Sequence, residues 1–372
     1  MRLAVLMNLE STWSRHVCDR LMDLGHYVHI IDFRRRLTNG VYLDRSVHDR
    51  GITALKQRGA GVHLLQGGSD WVLRYVAAAP HVRRICVENN VHALLTLYGG
   101  GFTLAAWLSR VRPYVTYAVG SDVLSVTGMR KTLTRRTLES AAIVFANGGF
   151  LAEKTRELAP SANVMPLLLG VDTDRFAPGS PAPKPVRIFC NRGFLPVYNN
   201  RYLIRGLAAM EESTTDFEVI LASGGPTLNS VKALADRVLT GPMRARVKFL
   251  GGVSDERMLD ELRSSHVFVS LSRSDGTATS MLEAMSCGLL CVLSDIPQNR
   301  EWSVPGADNA ILAPLDRPEA LAQALRRAIN EEDLRARAVR FNRDMILERA
   351  CSRRNMGIMA EKIESIAGGD AQ

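Results

Sequence analysis

Residues 272–294, SRSDGTATSMLEAMSCGLLCVLS, predict a strand end, a glycine-containing turn, a helix and a further strand. The acidic Asp275, the turn glycine Gly276 and small hydroxylated residues fall at the end of the first strand, where open α/β sheets bind ligands. A helix that begins near Thr279 or Ser280 presents unpaired N–H groups and a positive dipole end, which suits a diphosphate. Turns of this kind are common, so the pattern alone is only a hint of a phosphate site.

Glu283 lies one turn into the same predicted helix, on the C-terminal side of Asp275. The spacing lets Asp275 meet a sugar at the loop while Glu283 reaches the ribose hydroxyls from the helix. The two carboxylates are therefore candidates for binding the two ends of one ligand.

The same alternation of strand and helix extends outward through the whole chain. Short, apolar, β-branched runs alternate with amphipathic segments of helix length, which is typical of parallel sheets covered by helices on both faces. The fold class is therefore predicted to be α/β. The predicted strands are 3–7, 27–33, 62–65, 93–97, 114–119, 143–146, 164–168, 186–190, 217–222, 247–250, 267–271, 290–293 and 310–312.

Length and composition predict two domains, because 372 residues that are 46% hydrophobic can bury two cores. The stretch 179–185, with three prolines and no periodicity, is interpreted as a stiff linker. We therefore expect an N-terminal domain at 1–178 and a C-terminal domain at 186–345. A helix within 346–372 is expected to cross back to the N-terminal domain.

The charge is uneven along the chain. Residues 1–180 hold 22 Lys and Arg against 14 Asp and Glu, whereas residues 181–372 hold 25 against 24. A basic first half fits an anionic acceptor or the inner face of a membrane, or it is simply a set of solvated helix faces. Nucleic acid is not expected as a partner, since no basic stretch interleaved with aromatic residues occurs.

Other sequence features bear on the compartment. No apolar run reaches the 18 or so residues that span a bilayer, and the N-terminus lacks the pattern of a secretory signal. The six cysteines are scattered, and we interpret them as reduced thiols in the core. We expect a cytoplasmic protein, with peripheral contact to the inner face of the membrane as one option.

The stretch 272–294 resembles the signature of glycosyltransferase family 4, in which two acidic residues bracket a glycine-containing turn that leads into LEAM and a glycine. Asp275 stands where the family more often has Glu. The residues in register are Gly276, Ser280, Leu282, Glu283, Ala284, Met285 and Gly288. Segments 170–178, 247–253 and 294–314 resemble other parts of the family in the same order.

This resemblance implies a GT-B architecture, in which two Rossmann-like domains face each other across a cleft. It also implies retaining transfer of a sugar from a nucleotide-diphosphate sugar to a hydroxyl acceptor, which is a glycan, a lipid-linked sugar or a small molecule. The co-substrate is a UDP- or GDP-type sugar, and neither a cofactor nor a metal is expected. Asp172 and Asp174 have metal-type spacing but belong to the interdomain segment.

The resemblance also assigns roles to residues of the second half. Asp275, Arg192 and Glu283 are the expected catalytic residues. The expected donor-binding residues are Gly276, Thr277, Thr279, Ser280, Gly251, Val253, Arg201 and Tyr198. Tyr198 stands at the place of the family's diphosphate lysine. Arg201 is a candidate for the missing charge, or else a solvent-facing helix residue.

In the first half, the residues expected at the acceptor side are His92, Gly120, Ser121, Asp122 and Glu10. The Gly120 loop resembles a family loop in which Val119 replaces a histidine. The three glycines at 99–101 lack a P-loop lysine and are interpreted as a tight turn or as cleft lining.

Three other functions compete with the transferase hypothesis. A sugar-nucleotide epimerase or hydrolase on the same fold would need a dedicated acid–base pair, and none is recognised. A dehydrogenase would need a G-x-G-x-x-G strand turn followed by a distant acid, which is not found. A non-catalytic sugar-nucleotide-binding protein would account for Val119 and the absent lysine.

Overall fold

The computed structural model describes residues 1–9, 11–34, 45–66, 72–210 and 216–369. The chain divides by its internal contacts into two units. The first unit comprises Met1–Leu169 together with Arg353–Gln372, and the second comprises Gly170–Ser352.

Within its described residues, the first unit has a seven-stranded parallel sheet in the order β3-β2-β1-β4-β5-β6-β7. Its strands are β1 (Arg2–Leu6), β2 (Tyr27–Arg34), β3 (Gly61–Gln66), β4 (Ala93–Leu97), β5 (Tyr114–Ala118), β6 (Ile143–Ala146) and β7 (Val164–Pro166). Its helices are α1 (Thr12–Asp23), α2 (Arg45–Gln57), α3 (Leu73–Glu88), α4 (Gly101–Ser109), α5 (Ser121–Leu124), α6 (Gly128–Glu139), α7 (Gly149–Leu158) and α16 (Ser352–Gly369).

Alternate side chains of β1 explain why this sheet is covered on both faces. Ala4 and Leu6 belong to one apolar cluster, and Leu3 and Val5 to another on the opposite face. Helix α16 contributes Met356, Met359 and Ile363 to the second cluster. The C-terminal helix therefore belongs to the first unit although it is distant in sequence.

The second unit has a six-stranded parallel sheet in the order β10-β9-β8-β11-β12-β13, counted over its described residues. Its strands are β8 (Val186–Cys190), β9 (Phe217–Leu221), β10 (Val247–Phe249), β11 (Val267–Ser270), β12 (Leu290–Ser294) and β13 (Ala310–Ala313). Its helices are α8 (Asn200–Ala208), α9 (Leu228–Val238), α10 (Gly241–Ala245), α11 (Asp255–Arg263), α12 (Thr279–Ser286), α13 (Pro297–Arg300), α14 (Pro318–Asn330) and α15 (Glu332–Arg349). A 3₁₀ turn, Pro196–Tyr198, precedes α8.

The α/β class is confirmed, and each of the thirteen strands predicted from the sequence is present with its ends within two residues. Such agreement is expected where apolar runs alternate with amphipathic segments, because parallel strands are buried on both faces.

The division between the units lies before the proline-rich stretch 179–185 rather than at it. Segment 170–178, which the sequence predicts to be part of the first domain, belongs to the second unit. The guanidinium of Arg343 donates to the carbonyl oxygens of Thr173 and Phe176, both at 2.9 Å. The Ser286 hydroxyl also donates to Phe176 O at 2.5 Å. The prolines mark the stiff stretch 179–185. The hydrogen bonds of Thr173 and Phe176, which the sequence does not show, decide that segment 170–178 joins the second unit.

Each sheet reverses its strand order at one place. In the second unit the chain proceeds from β8 toward one edge and from β11 toward the other, and β8 pairs directly with β11. In the first unit the same reversal lies between β1 and β4. A crevice forms at the carboxyl ends of the strands at such a switch point, and ligands bind there in open α/β sheets.

Gly170 provides a test of how segment 170–178 is fixed. Its φ is +74°, and an added Cβ would lie 2.5 Å from Ala350 O and 2.8 Å from Ser352 N. We expect Gly170→Ala to lower the free energy of unfolding by about 2–4 kcal/mol, because it combines backbone strain with a clash against rigid backbone. Urea unfolding followed by circular dichroism measures this change.

Gly224→Ala is the matched control, since no atom lies within 4 Å of its added Cβ and its φ is not in the left-handed region. We expect it to change the free energy of unfolding by less than about 1 kcal/mol. Equal effects of the two substitutions would contradict the placement of Gly170.

Candidate functional site

The site in the second unit is built on the loops that follow β8 and β11. Arg192 lies two residues after β8, and its side chain is only 9% exposed. Its Nη1 donates to the Ser280 hydroxyl at 2.8 Å, and its Nη2 donates to a carboxylate oxygen of Asp275. Three residues predicted from two separate parts of the sequence thus meet at the switch point of the sheet.

Tyr198 holds the other side of this guanidinium. The guanidinium carbon of Arg192 lies 4.1 Å from the centre of the Tyr198 ring, which is cation–π geometry. Tyr198 is the residue that stands at the place of the expected lysine. It adds no charge there, but it fixes the cation that the loop already has.

Helix α12 begins at the same place. Its N-cap residue is Ala278, whose side chain cannot accept a hydrogen bond, so no side chain caps the first N–H groups of the helix. Thr279 and Ser280 are the first two residues of the helix, and Gly276 and Thr277 are buried in the preceding loop. An uncapped helix start beside a guanidinium is an arrangement that suits an anion.

The two carboxylates are in different electrostatic environments. Burial raises the pKa of Asp275, whereas Arg192 and the N–H of Gly276 lower it. Burial also raises the pKa of Glu283, to about 7, and Arg175 and Arg192 offset only part of this effect. Glu283 is therefore partly protonated near neutral pH, while Asp275 has a cation in direct contact.

Two asparagines that the sequence analysis did not select hold the loops in place. Asn200 Nδ2 donates to the carbonyl oxygens of Arg192 and Gly193, both at 3.1 Å. Asn299 Nδ2 donates to Ser294 O at 2.9 Å, and the Ser294 hydroxyl donates to the carbonyl of Ser272 at 2.6 Å. A single asparagine carries no periodic signal, so only the contacts identify these supports.

The remaining donor-side predictions lie farther from this cluster. Gly251 and Val253 follow β10, the edge strand two positions from β8, and Gly251 has a φ of +73°. Arg201 lies on the exposed side of α8 and lines a pocket whose lining does not include Arg192. The structure therefore does not bring Arg201 into the group formed by Arg192, Asp275 and Ser280.

In the first unit, Asp122 is buried and holds two loops together. Its carboxylate accepts from the backbone N–H of Gly99 at 2.5 Å, of Gly120 at 2.7 Å and of Val119 at 3.1 Å. Burial nevertheless raises the pKa of this carboxyl. Asp122 thus fixes the ends of β4 and β5 rather than presenting a carboxylate to solvent.

Tyr98 is the prominent residue at the end of β4, and the sequence analysis missed it. Its φ is +120°, which is rare for a residue with a side chain, and its hydroxyl lies 2.8 Å from the Ser121 hydroxyl. An added Cβ on Gly101 would lie 1.9 Å from the Tyr75 ring. The three glycines at 99–101 therefore serve close packing at this turn.

The other two first-half predictions do not join this group. His92 precedes β4 and so lies at the amino edge of the sheet, where its Nδ1 accepts from the N–H of Arg2 at 2.9 Å. That edge is opposite the loop of Gly120 and Ser121, so the structure does not bring His92 to them. Glu10 lies outside the described residues.

Solved structures settle the architecture. Sucrose-phosphate synthase from Thermosynechococcus elongatus matches with a TM-score of 0.81 over 99% of this chain and 100% of that chain, at 14% identity. Anabaena HepE in complex with UDP and glucose matches with a TM-score of 0.77 over 98% and 100%, at 16% identity. The fold is GT-B.

The second unit of this GT-B chain also has a sequence relationship. Residues 171–345 match the family of glycosyl transferases group 1. A GDP-mannose:cellobiosyl-diphosphopolyprenol alpha-mannosyltransferase from Xanthomonas campestris is 31% identical over 177 residues, which are 45% of this chain and 44% of that protein. The chain thus spans about half the length of that relative. The matched family segment contains Arg192, Asp275 and Glu283.

Features that bear on metals and membranes are also defined for the described parts of the GT-B chain. The carboxylate of Asp172 accepts from the N–H groups of Asp174 and Arg175, at 3.2 and 3.1 Å. No group of three or more His, Cys, Asp or Glu side chains in the described ranges is placed to hold a metal ion. None of the helices described here has the length and apolar character needed to cross a bilayer. All six cysteines are free thiols, and five of them are buried.

The raised pKa of Glu283 predicts a pH-dependent stability. A carboxyl with a folded pKa near 7, above its unfolded value, stabilises the fold at low pH and loses this contribution as pH rises toward 7. We expect Glu283→Gln to unfold with nearly the wild-type free energy at pH 5 and to be more stable than the wild type at pH 8.5. The gain should be on the order of 2 kcal/mol, because the variant does not ionise a partly buried group. Urea unfolding at the two pH values measures it, and the same difference at both would refute a raised pKa of Glu283.

Proposed function

We propose that the chain is a retaining, metal-independent glycosyltransferase that transfers a sugar from a nucleotide-diphosphate sugar to a hydroxyl acceptor. The observation that carries this proposal is the contact of Arg192 with both Asp275 and Ser280 at the start of α12. It lies at the switch point of the unit that is similar to the group 1 glycosyl transferases.

The same site has the groups that a nucleotide-diphosphate sugar requires. The uncapped start of α12 and the guanidinium of Arg192 suit the diphosphate, and we assign the ribose hydroxyls to Glu283, which lies one turn into the helix. One relative is named for GDP-mannose, and one solved neighbour was determined with UDP and glucose. GDP-mannose is the donor that we propose first, and a UDP-sugar is the next.

Binding of the donor would exchange partners within the site. The diphosphate takes the place of Asp275 beside Arg192, and the released carboxylate accepts hydrogen bonds from hydroxyls of the donor sugar. As the glycosidic bond breaks, Arg192 and the N–H groups of α12 stabilise the charge on the leaving phosphate. A leaving phosphate oxygen accepts the proton of the acceptor hydroxyl on the same face of the sugar, so the configuration is retained without a side-chain nucleophile.

The acceptor that we propose first is anionic and lipid-linked. The first half of the chain carries 22 basic against 14 acidic residues, and the relative's named acceptor is a diphosphopolyprenol. A chain that acts on such an acceptor would work in the cytoplasm at the membrane surface, held by the excess of basic residues in its first half. A soluble glycan or small-molecule acceptor would give the same chemistry without membrane contact.

A donor panel tests the function. We expect GDP-mannose, or a UDP-sugar, to raise the melting temperature of the protein, and we expect nucleotide release to require an acceptor. Release without any acceptor would indicate a hydrolase. Binding without release for any acceptor would indicate the non-catalytic sugar-nucleotide-binding protein that Tyr198 and Val119 leave open. Activity in excess EDTA tests the independence from metal.

Asp275→Asn tests the residue that we assign to the sugar. We expect the rate of transfer to fall at least about 100-fold, because the amide cannot supply the carboxylate's charge-assisted hydrogen bonds. Folding should persist, since the isosteric amide can still accept from Arg192. Initial rates and a thermal melt measure the two effects.

Asp308→Asn is the control, because Asp308 is a carboxylate in the same unit whose ion pair with Arg337 is exposed. Its rate should stay within about twofold of the wild type. A near-wild-type rate for Asp275→Asn would remove Asp275 from the site.

A further inference from the structure

The second unit has a concave feature that the Arg192 site does not account for, at the segments that follow β8, β11 and β13. It is a pocket of about 310 Å³ at the carboxyl edge of the sheet. It is lined by Asn199, Arg201, Tyr202, Arg205, Arg273, Leu315, Asp316 and Pro318. We call it the arginine pocket. None of Arg192, Asp275 and Glu283 lines it.

The arginine pocket carries an excess of positive charge that the described protein does not neutralise. Arg201 and Arg205 are exposed, and neither guanidinium has an ion-pair or hydrogen-bond partner within the described residues. The single carboxylate of the lining, Asp316, is 82% exposed and lies 3.8 Å from Arg317. It therefore neutralises little of the charge of Arg201 and Arg205. Other arginines of the unit do have carboxylate partners, such as Arg187 with Glu261, Arg244 with Asp236 and Arg300 with Asp295, each at 2.6 Å.

Asn199 supplies an independent indication of a missing partner. The residue is only 7% exposed, and its Oδ1 accepts from Arg273 Nη2 at 3.5 Å. Its Nδ2 is buried and has no acceptor among the described residues. A buried donor without an acceptor is costly, and the residue that carries it belongs to the lining of the arginine pocket.

The walls of the pocket are fixed. The Tyr202 hydroxyl donates to Pro314 O at 2.6 Å, which ties α8 to the segment after β13. The backbone N–H of Arg273 donates to Val197 O at 2.8 Å. The starts of α8 and α14 both reach the pocket, and neither has a side-chain cap, so two positive helix ends add to the guanidinium charge.

We propose that the arginine pocket binds the phosphate group of a phosphate monoester, separately from the Arg192 site. Planar guanidiniums match the oxygens of a phosphate dianion, and the volume also admits a small polar group such as a sugar ring. This placement gives Arg201 a ligand other than the nucleotide diphosphate. Because Arg273 and Asp275 lie on one loop, the two sites are neighbours with different occupants.

Titration calorimetry of the full chain with inorganic phosphate and with glucose 6-phosphate tests the proposal, with glucose as the uncharged comparison. We expect saturable binding of both phosphates and none of glucose. The double variant Arg201→Gln/Arg205→Gln should bind them at least about tenfold more weakly. Both residues are exposed, so the variant should keep the wild-type melting temperature, which is measured alongside.

Arg237→Gln/Arg340→Gln is the matched control, since it removes two exposed arginines from other helices of the same unit. Its phosphate affinity should stay within about twofold of the wild type. An equal loss of phosphate affinity in both double variants would show that only the total charge of the protein matters, and it would overturn the proposal. The absence of saturable phosphate binding would overturn it as well.

Nucleotide binding separates this site from that of the proposed function. We expect Arg192→Gln to weaken the binding of GDP and UDP and to leave glucose 6-phosphate binding within about twofold, whereas the arginine-pocket variant shows the reverse. If the arginine-pocket variant loses nucleotide and phosphate affinity together, the pocket is part of the donor site and the proposal fails. The proposal that the chain is a glycosyltransferase would still stand after that result.

Vesicles distinguish a free phosphate monoester from a lipid headgroup. Vesicles of phosphatidylcholine with phosphatidic acid, compared with phosphatidylcholine alone, present the same monoester at a membrane. Sedimentation that requires phosphatidic acid and is lost in Arg201→Gln/Arg205→Gln would assign the pocket to a lipid headgroup. Glucose 6-phosphate binding without such sedimentation would assign it to a soluble metabolite.

Discussion

The site in the second unit depends on the contact between Arg192 and Asp275. It joins two loops that are more than eighty residues apart in sequence and that meet only because β8 pairs with β11. Removing either side chain would leave the other partly buried and without its partner, which is unfavourable at such a depth. The contact therefore holds the two loops together, and its two side chains carry the charges that a donor would meet.

The neighbours of this pair show how the fold compensates for a missing cation. Tyr198 stacks on Arg192 instead of adding a second positive charge, and Asn200 fixes the backbone that carries the guanidinium. A single, well-fixed guanidinium loses little conformational entropy when it binds a phosphate. The start of α12 then supplies N–H donors at no further cost in ordering.

The two units use the same geometry for different purposes. At the switch point of the second sheet, Arg192 and Asp275 keep charged atoms within reach of a ligand. At the ends of β4 and β5 in the first sheet, the carboxylate of Asp122 accepts hydrogen bonds from backbone N–H groups, and Tyr98 has an unusual backbone conformation. A charged side chain at a strand end is thus not by itself evidence of a ligand site, and its hydrogen-bond partners decide the matter.

The sequence alone determined the α/β class and the position of each strand, because apolar periodicity carries that information. Its resemblance to a glycosyltransferase family is what pointed to Arg192, Asp275, Ser280 and Glu283. It did not determine that segment 170–178 joins the second unit, that His92 lies at the opposite edge from Gly120, or that Arg201 faces its own pocket. Nor did it show the loop supports Asn200 and Asn299. These features depend on which strands become neighbours and where each side chain points, and both are set by packing between segments that are distant in the chain.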